Sequence, residues 1–356
     1  MPPNKRVTIK EVAKIAGVSI QTVSRVINEH PDVASETRLR VLSVITDLDY
    51  HPSALARSLI HQRSYTLGVL TAGLKFIGPS FTLNGITVAA EEMNYAVLLE
   101  ELPGFHDNRS AHRLESLLAR HVDGIIWAIP EIGNNRDWLG KDTVSLPVPI
   151  VFLTMQPRPD VTCVSFDNFH GGLMATQHLI DAGYQQIGHI AGPLDWWEAR
   201  QRKAGWEQAL EANGRKIQEA MWVEGNWSSA SGEQAFLQLL SQHKHLDAVF
   251  VANDQMAYSV YHVAARKGIR IPEDLGLVGF DGLAETAYLW PPLTTIYQNL
   301  NLLGRTAVEY VVSAIDSQLS SGGDRAGESV IFQPELLRRA SSQRDFVFIE
   351  NHTEKR

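Results

Sequence analysis

From about residue 65 the chain alternates short, apolar, β-rich runs with stretches whose apolar positions recur at helical spacing. The runs are TLGVLTA, YAVLLEEL, VDGIIWAI and VPIVFLT, then, after VTCVSFD, QIGHIAG, DAVFVAND and LGLVGFD. Helices are predicted from about Ser80, near 109–120, after Gly171, near 197–213 and near 255–267. Such alternation predicts parallel sheets with helices on both faces. The cycle restarts after VTCVSFD, so two lobes of similar size are expected.

The first 62 residues follow a different pattern. Thr8-Ile9-Lys10-Glu11 has the form of a capping box, a hydroxyl for the backbone N–H groups and a Glu that reaches back, so a helix should begin there. Val12, Ile15 and Ala16 mark its apolar face. Gly17 supports a tight turn of positive φ, and Ser19 can cap a second helix running to about Asn28. On that helix Val23, Val26 and Ile27 should pack inward, leaving Ile20, Gln21, Ser24 and Arg25 outward. A third helix, capped at Ser35 and running to about Leu48, offers Val41, Leu42 and Ile45. The spacing predicts an all-α helix-turn-helix.

Charge sharpens this division. The chain carries a net −8 over 356 residues, yet residues 1–63 hold nine Lys/Arg against six Asp/Glu, leaving 23 against 34 for the rest. A basic head on an acidic body suits phosphate contact at one end only. The outward Gln and Arg have the chemistry to read bases: an amide pairs with adenine N6/N7 and a guanidinium with guanine O6/N7. The 44% hydrophobic content supports a large core. No run is long and apolar enough for a membrane span, and MPPNKRVTIKEV lacks a secretory apolar segment, so a cytoplasmic location is expected. The lone cysteine, Cys163, can form no internal disulfide and reads as a small buried residue.

The ordered set VTIKEVAKIAGVSIQTVSRVINEHPDVASETRLRVLSVITDLDYHP closely resembles the headpiece of the lactose-repressor (LacI/GalR) family. The resemblance implies that Ile20, Gln21 and Arg25 enter the major groove with Ser24 nearby, and that Thr8, Ser19, Thr22 and Asn28 join the DNA-facing set. Ile20 stands where the family's type member has a tyrosine, so operator preference does not transfer. Residues 52–63, PSALARSLIHQR, are too short for an independent helix. By resemblance they form a hinge helix that folds on DNA and inserts Leu59 into the minor groove.

The body resembles the same family's ligand-sensing core, an α/β fold like that of periplasmic sugar-binding proteins, in which the chain crosses between lobes three times. Crossovers near Cys163, Leu293 and Gly322 would give a first lobe of 64–163 with 294–322 and a second of 164–293 with 323–340, followed by a tail, 341–356. Polar residues at strand ends suit a polyhydroxylated ligand: Asp281 accepts from neighbouring hydroxyls, Asn253 donates and accepts, and Arg200 can bridge adjacent oxygens. Trp196, Trp197, Trp227 and Trp290 offer flat faces for a sugar ring. The patterns GPLDWWEARQRKAGW, EGNW, VANDQMA and PPLTTIYQ resemble the family closely enough to imply contacts from Arg200, Trp227, Asn253, Asp281 and Gln298. Ala72, Phe76, Pro79 and Leu303 are implied from the first lobe. His170 stands where the type member carries a ligand-contacting aspartate, and Trp196 replaces a serine, so a reshaped pocket is expected.

No Walker loop, GxGxxG at a strand-to-helix turn, HExxH or GxSxG is present, and no cofactor or metal is expected. The expectation is a non-enzymatic repressor, homodimeric on a palindromic operator and relieved by a mono- or disaccharide. The tail SSQRDFVFIENHTEKR has no leucine heptads and so gives no reason to expect a tetramer. Two alternatives remain: a sugar receptor without a DNA role, and a regulator whose ligand, such as a purine, promotes DNA binding.

Overall fold

The computed structural model describes residues 7–27, 30–50, 63–104, 110–133, 135–136, 146–217, 219–321 and 327–344. Contacts divide the chain into two units, Met1–Tyr65 and Thr66–Arg356. Asn28, the hinge 52–62 with Leu59, and the tail from 345 lie outside the described residues.

In the first unit, helices α1 (Ile9–Ala16), α2 (Ile20–Ile27) and α3 (Ser35–Asp47) enclose a core of Val12, Ala13, Ala16, Val23, Val26, Val41 and Tyr50. The capping box forms as its chemistry requires: Thr8 Oγ1 accepts from the Glu11 N–H, and Glu11 Oε2 accepts from the Thr8 N–H at 2.8 Å. Gly17 closes α1 in the left-handed region at φ 66°, where a side chain would be strained. Three details differ from the sequence expectation. Ile15 is 59% exposed, because the buried stripe of α1 runs through Val12, Ala13 and Ala16 and leaves Ile15 about 100° to one side. Leu42 is also exposed, the α3 stripe passing through Val41, Val44, Ile45 and Leu48. Ser35 is the first helical residue, not the cap; Ala34 stands there without a side-chain bond.

The second unit contains two six-stranded sheets. The first-lobe sheet comprises β1 (Thr66–Ala72), β2 (Ala96–Leu102), β3 (Gly124–Ala128), β4 (Ile150–Leu153), β5 (Cys163–Phe166) and β11 (Ser329–Phe332). Its order is β11-β5-β4-β3-β1-β2, all parallel. Helices α4 (Ile77–Glu92) and α5 (Ser110–Ala119) belong to it. The second-lobe sheet comprises β6 (Ile187–Ala191), β7 (Trp222–Glu224), β8 (Ala248–Val251), β9 (Gly276–Asp281), β10 (Thr294–Tyr297) and β12 (Glu335–Leu337). Its order is β12-β10-β9-β8-β6-β7, parallel except for β12 against β10. Strands β6 and β8 are buried throughout, which is why they read as unbroken apolar runs. Helices α6 (Asn168–Asp181), α7 (Trp197–Ala212), α8 (Ser229–Gln242) and α9 (Asp254–Lys267) belong to this lobe, whereas α10 (Leu300–Ser321) packs on α4 and on β3, β4 and β5.

Strand pairing sets the crossovers, and it sets each later than the sequence suggested. Strand β5 pairs with β4 and places the first crossing after Phe166, not at Cys163. Strand β10 pairs with β9 and moves the second from Leu293 to beyond Tyr297. The third, expected at Gly322, which is outside the described residues, lies between Phe332 and Glu335, because β11 returns to the first sheet with Ser329 beside Cys163. Residues 329–332 therefore belong to the first lobe. Helix α6 starts at Asn168, capped by the Asp167 carboxylate, so it begins before Gly171. Cys163 is buried, as expected, with its thiol 3.4 Å from Ser329 Oγ.

Each lobe joins two helices through glycine. A Cβ at Gly205 of α7 would strike the Phe169 carbonyl of α6, and one at Gly172 would strike the Arg202 carbonyl. Gly85 of α4 and Gly304 of α10 meet in the same way in the first lobe. Backbones this close leave no room for a methyl group. Gly205→Ala is expected to destabilise the core unit by about 1–3 kcal/mol through overpacking, read as a lower denaturant midpoint in its unfolding transition.

Candidate functional site

Two surfaces hold the residues singled out from the sequence. On the first unit, Ser19 Oγ accepts from the Thr22 N–H at 3.1 Å and lies 2.9 Å from the Thr22 hydroxyl, fixing the start of α2. Ile20, Gln21 and Arg25 are exposed on one side of that helix, and Ser24 and Thr22 are half-buried. Arg25 forms an exposed ion pair with Asp32 at 3.3 Å, a solvated contact that a base or phosphate can replace. Val23 and Val26 hold the opposite side in the core, so the polar row stays available.

The second surface is a cleft between the lobes of the core unit. Two adjoining hollows of about 450 and 490 Å³ share Gly78, Pro79, Trp196, Glu198, Arg202 and Asp281. The second lobe supplies the C-terminal ends of β8 and β9 and the N-terminus of α7, the place where open α/β sheets bind ligands. The first lobe supplies Phe76 and Pro79 at the start of α4, Ala128 and Leu153 at the ends of β3 and β4, and Pro130 and Thr154 just beyond them.

Arg202 is the hub of the cleft. Only 5% exposed, it donates from Nε to Asn168 Oδ1 at 2.8 Å, from Nη1 to the Ala252 carbonyl at 2.5 Å, and from Nη2 to Gln298 Oε1 at 3.4 Å. Asp281 lies 3.6 Å from Nη1, and the guanidinium carbon sits 3.8 Å from the Phe280 ring centroid. Asn168 and Gln298 stand at the first and second crossovers. Asn253 caps α9, accepting from the Met256 N–H and donating to the Trp227 carbonyl at 3.0 Å. That bond holds Trp227 at φ 70°, with its ring edge-on to Trp196 at 5.6 Å.

Three carboxylates cluster here. Asp254, fully buried, accepts from the Leu283 N–H and the Thr295 hydroxyl, and burial pushes it up to about 8, with Asp281 adding to the rise. Burial raises Asp281 to about 6 against the pull of Arg202. Burial likewise raises Glu198 to about 7, while Arg202 lowers it, Asp281 raises it and Arg136 lowers it.

One rim is stitched shut. The Trp197 N–H donates to the Glu131 carbonyl at 2.9 Å, the Gly133 N–H donates to the Asp195 carbonyl at 2.8 Å, and Ile132 packs into the second-lobe core. Glu131 is itself held by Arg158 at 2.5 Å and by the Gln156 N–H.

Phe76, Pro79, Trp196, Trp227, Asn253, Asp281 and Gln298 thus meet in the cleft. The other expected contacts do not. Arg200 is exposed, donates to the carbonyls of Leu194 and Asp195, and lines a separate opening with Trp197, Gln156 and Asp167. The inward arginine is Arg202, because two residues on a helix point about 200° apart. His170 lies in the first turn of α6 with its N–H on Asp167 and lines neither hollow. Ala72 and Leu303 are completely buried in first-lobe packing. Trp290 is 76% exposed and away from the hollows. Sequence reasoning missed Glu198, Arg202, Asn168, Thr154 and Gln255. The i, i+4 pair Glu198 and Arg202, in line with Gly205, was the available signal for the first two.

Among the described residues, no group of three or more His, Cys, Asp and Glu is placed to hold a metal ion. No described helix is long and apolar enough to cross a membrane.

Residues 8–53 match the model of bacterial regulatory proteins of the lacI family, and residues 176–342 match a periplasmic binding protein-like domain. The lactose operon repressor of Escherichia coli K12 is 33% identical over 329 residues, covering 92% of this chain and 90% of that protein. The HTH-type transcriptional repressor PurR of Haemophilus influenzae is 33% identical over 336 residues, covering 94% and 98%. The crystal structure of the lac repressor dimer bound to operator and the anti-inducer ONPF superimposes with a TM-score of 0.83 at 33% identity, covering 95% of this chain and all of that one.

Arg200→Ala should change effector affinity less than threefold. Arg202→Ala, which strands Asp281 and Asn168, should weaken it by 100-fold or more; calorimetric titration of the two variants checks this. An unfolded aspartate titrates near 4, so a native Asp254 that keeps its proton to about 8 makes the folded state bind more protons between those values. Stability of the unliganded core should therefore fall as pH rises from 5 to 8. Asp254→Asn should flatten part of that decline in thermal melts.

Proposed function

The chain belongs to the bacterial lacI family of regulatory proteins, and from that premise we propose that it is a cytoplasmic, homodimeric repressor of a palindromic operator, released by a mono- or disaccharide bound in the cleft. The observation that carries the ligand part is the joining of Arg202, Asp281 and Asn253 with Trp196, Trp227 and Phe76 in one hollow. The polar three fix hydroxyl directions, and the indoles offer flat apolar surface for a pyranose. The reading assigns the cleft no catalytic step. A ligand that touches both lobes favours one lobe arrangement over another, and only that difference in affinity can change operator binding. The coupling is reciprocal, so operator must weaken sugar binding by the same factor.

On the DNA side, Gln21 and Arg25 read base edges and Ile20 makes apolar contact, with Thr8, Ser19, Thr22, Ser24 and Asn28 supporting the docking. The hinge 52–63 and its Leu59 wedge, in this reading, order on the operator and loosen when sugar binds. The head distinguishes this proposal from a sugar receptor without a DNA role.

Fluorescence anisotropy with a palindromic operator, with and without sugar, tests the proposal. The expected result is tight binding that weakens at least tenfold with a cognate sugar. Unchanged affinity with a sugar demonstrably bound would refute induction, and tighter binding would reverse its sign. Gln21→Ala and Arg25→Ala should each lose about 1–3 kcal/mol of discrimination between operator and scrambled DNA.

A further inference from the structure

Two polar atoms in the cleft are buried and without a hydrogen-bond partner among the described residues: Glu198 Oε2 and Trp227 Nε1. One can only accept when ionised and the other can only donate, and both residues line the same hollow. Leaving either group unpaired in a dry site is unfavourable. Hydroxyl groups of a bound ligand have the chemistry to donate to the first and accept from the second.

Arg202 is the one cation among the described residues that lines the hollows. Arg202 is shared among Asn168, Ala252, Gln298 and Asp281. Arg136, buried against Trp127 and Phe152, donates from Nη2 to the Ile129 carbonyl, leaves Nε and Nη1 without a hydrogen-bond partner among the described residues and lines neither hollow, and Arg158 is held by Glu131. Lys75 lies over Phe76 but is exposed and lines neither hollow. A phosphate or carboxylate entering here would meet Glu198 and Asp281, and among the described residues the one cation lining the hollows is Arg202, already shared by its acceptors.

We propose that Glu198 sets the charge class of the effector: the cleft takes an uncharged sugar that donates a hydroxyl to Glu198 Oε2, and excludes phosphorylated and acidic sugars. This rests on the sugar reading of the cleft and deepens it. Rejection comes from like charge in a low-dielectric site, where it is far stronger than in water. The carboxylate faces Arg202 and Asp281 from the second lobe and Arg136 from the first. Because burial raises it to about 7, a hydroxyl donor that favours its ionised form draws off a proton on binding near neutrality. Affinity for a neutral sugar should then fall as pH drops below 7.

The test is calorimetric titration of the full chain with glucose, galactose, cellobiose, glucuronic acid and glucose 6-phosphate, in two buffers of different ionisation enthalpy. The expected result is that at least one neutral sugar binds with proton release and the acidic sugars bind at least 30-fold more weakly. In Glu198→Gln the neutral sugar should weaken at least tenfold, proton release should disappear, and the gap to the acidic sugars should narrow. Glu198→Ser serves if the glutamine variant loses its core melting transition. Acidic sugars binding as tightly as neutral ones, or unaltered neutral-sugar affinity and proton release in both variants, overturns the charge assignment while leaving a sugar site standing. Binding of a purine base in place of every sugar overturns the sugar reading and this proposal together.

Discussion

The core unit is organised around a positive charge held almost out of water. A guanidinium in that position, robbed of its partners, destabilises a protein by several kcal/mol, so its acceptors must all be in place at once. For Arg202 they come from Asn168 at the first crossover, Ala252 at the end of β8, Gln298 at the second crossover and Asp281 at the end of β9. The charge therefore requires the first two crossing segments to lie close together, and Gln298 Nε2 lies 3.4 Å from Asn168 Oδ1. The same charge forms part of the cleft wall, so hinge geometry and ligand chemistry share one set of atoms. A ligand that draws on Asp281 or Gln298 acts directly on the segments that join the lobes.

Helix packing puts this charge where it is. Gly172 and Gly205 let α6 and α7 approach to backbone contact, bringing Asn168 at the start of one helix beside Arg202 in the middle of the other. The first lobe uses Gly85 and Gly304 in the same way, and it too turns a helix N-terminus, with Phe76 and Pro79, toward the cleft. The site is thus built on rigid elements rather than on loop tips. Its aromatic side chains are likewise fixed from behind, Trp227 by the amide of Asn253 and Trp196 by its bridge to Ile132.

The cleft carboxylates divide into two kinds. Asp254 is bonded inside the fold by Leu283 and Thr295, and it shapes the turn after β9. Asp281 and Glu198 face the hollow. Arg202 lies 3.6 Å from Asp281, longer than a good hydrogen bond, which leaves Asp281 able to accept from a ligand as well.

What the sequence by itself determined is the local structure and the family resemblance. The capping box at Thr8, the turn at Gly17, the buried strands and the polar row on α2 follow from short-range geometry and hydrophobic period, which neighbouring residues specify. Asn253 and Asp281 were also legible as cleft residues from their places at strand ends and Trp196 and Trp227 from the loops beside them, whereas Phe76 was legible only through the family resemblance. What only the tertiary structure decided is phase and partnership. Arg200 and Arg202 have the same chemistry, and which one faces inward depends on where Gly205 must turn to meet α6. Whether Cys163 and Ser329 belong to one sheet depends on a pairing across more than 160 residues. Such distant pairings leave no local signature, because the energy that selects them comes from burial and hydrogen bonding that exist only once the lobes are assembled.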